Sequence, residues 1–332
     1  DFTVTGTGNL VAAGTLTLDT ENGDNGDAGD LTFTNNSIST DATGNTLTLN
    51  TSASGQTAGD VSLGTVDNSG GAFLDALTVN TEGGGGTDGT LTLNDDVSLD
   101  GGNFTMTGGG DVIISGNLTV DTENGNNANG GAIAWGDSNL YADAAGFDVT
   151  LNTSSSGNTG GNLDVGVIGD NGGVNNFLED LTVDLDGTTA GTWNLNQNVS
   201  LDLNADTADL TVTGNVSLGA ATVTIDTEAG NDANAGNIDL SSATLTAGAA
   251  DRDLILDASD GGGANNGGNI ELSTVDNSGG AYINDLSLNN NGGGTDGTTT
   301  LHGNISLDHG GDRADFTITG DGDVIISATQ TI

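Results

Sequence analysis

The chain of 332 residues has no cysteine, no proline and no lysine. Its only strongly basic side chains, Arg252 and Arg313, face 47 acids, for a formal net charge of -45. Without cysteine there are no disulfides, thiolate metal centres or cysteine nucleophiles. Without lysine, glycine runs such as Gly108-Gly109-Gly110 cannot be Walker-type phosphate loops. Two arginines cannot neutralise a phosphate backbone, so nucleic acid and anionic membrane surfaces are repelled, and the natural small partners are cations. No apolar run approaches the roughly 18 residues of a membrane span, which argues against direct membrane insertion. No signal peptide is seen, and the first residue is Asp1, which reads as a processed form or a section of a longer product. Self-repulsion on this scale is best tolerated in salt, where charges are screened within about 8 to 10 Å. A saline, extracellular or cell-surface setting is expected.

What is present is repetition. Phe2-Thr3-Val4-Thr5-Gly6 returns at Phe104 to Gly108, Leu210 to Gly214 and Phe316 to Gly320. The first residues of these copies, 2, 104, 210 and 316, are 102, 106 and 106 residues apart. Asp19-Thr20-Glu21 recurs at Asp121 to Glu123 and Asp226 to Glu228, and Val97-Ser98-Leu99-Asp100 recurs at Val199 to Asp202 and Ile305 to Asp308. Such spacing marks a repeat architecture. Internal repeats are expected at 1–102, 103–208 and 209–314, with a partial fourth at 315–332, in one continuous solenoid over 1–332.

The short-range period is that of strands. Thr15-Leu16-Thr17-Leu18-Asp19, Thr46-Leu47-Thr48-Leu49-Asn50 and Asn117-Leu118-Thr119-Val120-Asp121 alternate strictly. Period two places aliphatic residues on one face and Thr, Ser, Asn and Asp on the other. Gly, Asn, Asp and Ser fill the corners between strands, supplying the backbone conformations of sharp turns. The absence of proline fits strands paired on both sides, because proline cannot donate to a ladder. The chain divides into coils at Gly29 to Ala58, Gly59 to Asp88, Gly131 to Gly160 and Gly161 to Ala190, with 89–130 read as two shorter coils. The predicted fold is therefore all-β: a right-handed parallel β-helix (β-solenoid) of roughly twelve to thirteen coils, about four per ~105-residue repeat. With stacked strands ~4.8 Å apart, this would be a rod roughly 60 Å long.

Calcium is the chemistry best supported by the residues. Asp19 and Glu21 lie two apart, so both carboxylates project from one side of an extended strand. Asp24, Asp27 and Asp30 follow in the next loop. The pair recurs as Asp121/Glu123 and Asp226/Glu228. Hard divalent cations take six to eight oxygens, which carboxylates and turn carbonyls supply. These six residues are the candidate calcium ligands; the alternative is a solvated acidic face. A single Gly-Gly-x-Gly-x-Asp segment, Gly83 to Asp88, resembles a calcium-binding β-roll turn but is not in tandem. Catalysis has less support. His302 and His309 are the two histidines, with no strand-turn-helix nucleophile motif near either.

The strands of Gly116-Asn117-Leu118-Thr119-Val120-Asp121-Thr122 and of Asp111-Val112-Ile113-Ile114-Ser115-Gly116 resemble bacterial surface proteins of the filamentous-haemagglutinin and autotransporter-passenger kind. The resemblance spans the chain and implies an exported right-handed parallel β-helix serving as an adhesin or surface fibre. It carries over no functional residues. No secretion-recognition domain with its Asn-Pro motif is seen.

The expected function is a structural or adhesive extracellular rod, part of a long repetitive surface protein or fibre, stabilised by cations and able to assemble end to end. Its partners would be divalent cations, neighbouring copies or continuing repeats, and surface glycans or other cells. No enzymatic activity is expected. The alternative is a carbohydrate-active β-helix enzyme, which would need two acids and an aromatic platform in a cleft. Trp135, Trp193, Tyr141 and Tyr282 are the candidates for such a platform.

Overall fold

The computed structural model describes all residues except 24, 126, 145, 170–176, 203–206, 231, 262, 278, 279, 308–312 and 328. Asp24, Asp308 and His309, named above, lie outside the described residues. The fold is all-β with no helix, parallel strands forming a β-solenoid of about ten turns in all. The chain groups into two compact units. One comprises Asp1–Asp143, Val149–Gly166 and Asp186–Gly191; the other comprises Ala144–Asp148, Val167–Leu185 and Thr192–Ile332.

In the first unit, strand Leu31–Phe33 pairs in parallel with Val61–Leu63, which pairs with Leu91–Leu93. Leu91–Leu93 pairs with Val112–Ile114, and that strand with Leu140–Ala142. The alternation read from the sequence decides what faces inward. Leu31, Val61, Leu91, Val112 and Leu140 stack in register and are all buried. A second ladder stacks Leu47, Leu77, Phe104, Ile133 and Leu163 in the same way. The threonines between them, Thr48 and Thr78, face outward and are half-buried.

The second unit repeats the plan. Thr222–Asp226 pairs with Arg252–Asp257, which pairs with Ile283–Asn289, which pairs with Phe316–Thr319. Leu210–Leu218, Ile238–Ala247, Ile270–Val275 and Thr299–Leu301 form the neighbouring ladder. The column Leu210, Ile238, Ile270 continues through Thr299, a buried polar residue, to the exposed Val324. Asn290 Nδ2 donates to the Thr299 hydroxyl at 3.2 Å, which satisfies the group where an aliphatic side chain would otherwise stand.

Thirty-residue coils appear where they were expected: Leu31 lies over Val61, Val61 over Leu91, and Ile133 over Leu163. The stretch 89–130 departs from its predicted division into two short coils. Leu91 lies over Val112, a step of 112 − 91 = 21 residues, but Val112 lies over Leu140, a step of 28. Only one coil is short. Coil length is set by the corner loops, because strands must stay in register while loops are free to vary. The short coil lacks the long loop that the next one has between Thr122 and Gly131. About ten turns are found where twelve or thirteen were predicted, because most coils are longer than the prediction allowed.

That long loop is closed the same way in many coils. A threonine hydroxyl donates to a glycine carbonyl eight or nine residues on: Thr20 to Gly29 at 2.7 Å, Thr51 to Gly59 at 2.6 Å, Thr122 to Gly131 at 2.7 Å, Thr153 to Gly161 at 2.7 Å and Thr227 to Gly236 at 2.9 Å. Asn290 takes the threonine's place, donating to the Gly297 carbonyl at 2.7 Å. The glycine is demanded by close approach. A Cβ on Gly59 would collide with the carbonyl of Gly29, and one on Gly161 with that of Gly131. Stacked coils touch backbone to backbone at this corner, so any side chain would hold them apart.

Candidate functional site

The three Asp-Thr-Glu segments sit at the end of a strand, entering the long loop. In each, the aspartate closes a turn on the glutamate's own backbone. Asp19 Oδ1 accepts from the Glu21 N–H at 3.0 Å, Asp121 from Glu123 at 2.9 Å, and Asp226 from Glu228 at 3.0 Å. The same turn recurs in coils without the motif. Asn50 accepts from Ser52 at 3.2 Å, Asn80 from Glu82 at 3.2 Å, Asn152 from Ser154 at 2.8 Å, and Asp257 from Ser259 at 3.1 Å. Asp and Asn alternate freely here, so the position requires an acceptor oxygen rather than a charge. Asp19, Asp121 and Asp226 are turn formers first.

The glutamates differ. Each turns back into its loop, and Oε1 accepts from the N–H four residues ahead: Asn25 to Glu21 at 3.4 Å, Asn127 to Glu123 at 2.8 Å and Asp232 to Glu228 at 2.9 Å. Glu21 is half-buried. Glu123 and Glu228 are 0% and 1% exposed, and in both Oε2 is buried with no hydrogen-bond partner.

What buries them is the Val-Ser-Leu-Asp segment of the preceding repeat. Leu99 donates to the Asp121 carbonyl at 2.8 Å, Gly101 to that of Thr122 at 2.8 Å, and Asn124 back to that of Leu99 at 3.1 Å. The second junction copies this, with Leu201 donating to Asp226 at 2.8 Å and Ala229 to Leu201 at 3.1 Å. Two motifs that recur separately in the sequence are thus brought together at each junction. Asp202 was not among the candidate ligands. It is 5% exposed, adopts a left-handed backbone with φ of 47°, and places its carboxylate against that of Glu228. The recurrence of Val-Ser-Leu-Asp marked it as structural, but nothing local marked it as a partner of a residue 26 positions on.

Electrostatics follow from this burial. Desolvation pushes the Glu228 carboxyl up to about 7; the Asp232 N–H opposes the rise, and the neighbouring Asp202 and Asp232 carboxylates add to it. Desolvation likewise lifts Asp226 to about 6, against the hydrogen bond from Glu228 and with the Asp257 charge. Burial also raises Asp180.

The remaining candidates are dispersed. Asp27 and Asp30 serve the coil below, accepting from the N–H groups of Thr57 at 3.1 Å and Asp60 at 2.9 Å. Asp88, in the Gly-Gly-x-Gly-x-Asp segment, accepts from Gly83 at 2.6 Å and Gly109 at 2.8 Å, so both oxygens hold loops. No group of three or more His, Asp or Glu gathers as a metal centre among the described residues. His302 Nε2 lies 2.8 Å from Glu271 Oε2 on the surface. Trp135 and Trp193 point into the core, Trp135 edge-on to Phe104 with centroids 5.4 Å apart, so neither offers a ring face to solvent. A cleft of about 480 Å³ borders Glu82, Asp88, Met106 and Asp137, but the indole beneath it is covered.

The chain matches no family model, no curated protein and no solved structure among known proteins.

Proposed function

We propose that the chain is a structural and adhesive extracellular element, part of a long repetitive surface protein or fibre. The observation that carries this reading is the parallel ladder of stacked coils within each unit. Inward columns such as Leu47, Leu77, Phe104, Ile133 and Leu163 keep register while the outward positions stay polar. Each coil passes its backbone hydrogen bonds to the next, so load on one strand is shared with its neighbours. The acidic surface, at a net charge of -45, keeps such elements soluble and apart in salt. The sequence resemblance to filamentous-haemagglutinin-like surface proteins points the same way.

Further coils of the same kind are the fitting partners. Val324–Ile326 pairs only with Thr299–Leu301 among the described strands and exposes all three of its apolar residues. Another coil, from a second copy or a continuing chain, would complete that edge.

The test is mechanical. The chain pulled by its termini should resist as packed coils and release in steps, each of about 30 residues giving roughly 100 Å of extended length. Featureless extension at low force would remove the structural reading. Release of reducing ends from a panel of polysaccharides would replace it with an enzyme.

A further inference from the structure

At each repeat junction the buried glutamate keeps one oxygen that no N–H reaches. Glu123 and Glu228 commit Oε1 to a loop N–H, while Oε2 is buried and unpartnered. A carboxylate oxygen stripped of water needs a compensating positive group. No described arginine or histidine reaches either residue. The surroundings offer oxygen instead. At the first junction, a Cβ on Gly101 would lie 2.8 Å from Glu123 Oε2 and 3.2 Å from the Asn129 carbonyl oxygen. Both oxygens therefore border the face that Gly101 leaves bare. At the second junction, the Asp202 carboxylate faces Glu228. When ionised, two carboxylates are acceptors only, so neither can satisfy the other.

We propose that each of the two junctions holds one divalent cation of the calcium class, bound by Glu123 Oε2 with the Asn129 carbonyl in the first and by Glu228 with Asp202 in the second. Calcium takes oxygen ligands from carboxylates, backbone carbonyls and water, six to eight in all. With so few carboxylates at each junction, turn carbonyls and water complete the shell. The site joins the Asp-Thr-Glu turn of one repeat to the Val-Ser-Leu-Asp segment of the repeat before it. It therefore differs from a site built on the Asp/Glu pair alone. Glu21, which no Val-Ser-Leu-Asp segment covers in this chain, lies outside the proposal. The inference stands apart from the adhesive reading and does not depend on it.

The experiment is calorimetric titration of CaCl2 into the whole chain after chelation and dialysis, at constant ionic strength, paired with thermal unfolding. We expect two saturable sites per chain and a higher unfolding midpoint with calcium than with chelator. Glu123→Gln and Glu228→Gln should each reduce the count from two to one, whereas Glu21→Gln should leave it at two. The wild-type count decides even if a glutamine variant fails to fold. An absence of saturable heat with an unchanged midpoint overturns the proposal, leaving a proton as the positive group at Glu228. Two sites retained in the Glu123→Gln/Glu228→Gln double variant, or a site lost in Glu21→Gln, would also overturn it.

Discussion

The residues that distinguish this chain are carboxylates two positions apart with different tasks. Asp226 shapes a turn and Glu228 closes a loop, yet both are lifted in pKa by the segments packed over them. A carboxyl whose pKa is higher folded than unfolded destabilises the fold as pH rises. For Glu228 the loss begins near its ordinary value of 4.5 and is complete above about 7; for Asp226 it runs from 3.8 to about 6. With chelator present, the unfolding midpoint should therefore fall as pH is raised from about 4 to 7. Glu228→Gln should lose part of that dependence, because glutamine does not titrate and its amide can donate to Asp202. A variant whose midpoint tracks the wild type across this window would show that Glu228 does not contribute. The aspartates of the three Asp-Thr-Glu segments were legible in sequence as a recurring pair but not as turn formers. Their equivalence to Asn50, Asn80 and Asn152 appears only once coils are stacked.

At the scale of the element, a coil is a set of short strands whose corners decide its length and spacing. Glycine is needed where the backbone of one coil rests on the carbonyl of the coil before. Gly161→Ala pushes a methyl into the Gly131 carbonyl at a corner also held by the Thr153 hydroxyl. Overpacking of this kind costs about 1–3 kcal/mol. Gly116, which has open space around its missing Cβ, provides the comparison, and Gly116→Ala should change stability by less than about 0.5 kcal/mol. Equal effects of the two substitutions in chemical denaturation would refute the close-packed glycine corner. Strands and thirty-residue coils could be read from alternation and glycine spacing. The division of 89–130 could not, because the glycines there do not reveal which corner has lost its loop.

For the whole molecule the dominant quantity is charge. A net charge of -45 on 332 residues is self-repulsive, and only solvent ions offset it. Raising NaCl from about 0.01 to 1 M shortens the Debye length from ~30 to ~3 Å. The unfolding midpoint should climb across that range and level off at the high end, without the saturable stoichiometry of a bound ion. A midpoint indifferent to NaCl would mean that the acids are spaced widely enough not to matter. This salt response is separable from the calcium response because the latter is measured at constant ionic strength.

The sequence by itself determined the parallel coiled architecture, the inward aliphatic columns and the polar outer positions. Those follow from period two along a strand and from contacts between one coil and the next, both written at short and regular spacing. Only the tertiary structure decided which acids are buried. Glu21, Glu123 and Glu228 share one local motif, yet the last two are sealed by residues 99–101 and by 201 and 202, from a segment more than twenty residues away in the chain. Burial of a carboxylate depends on what covers it, and the cover comes from a neighbouring repeat.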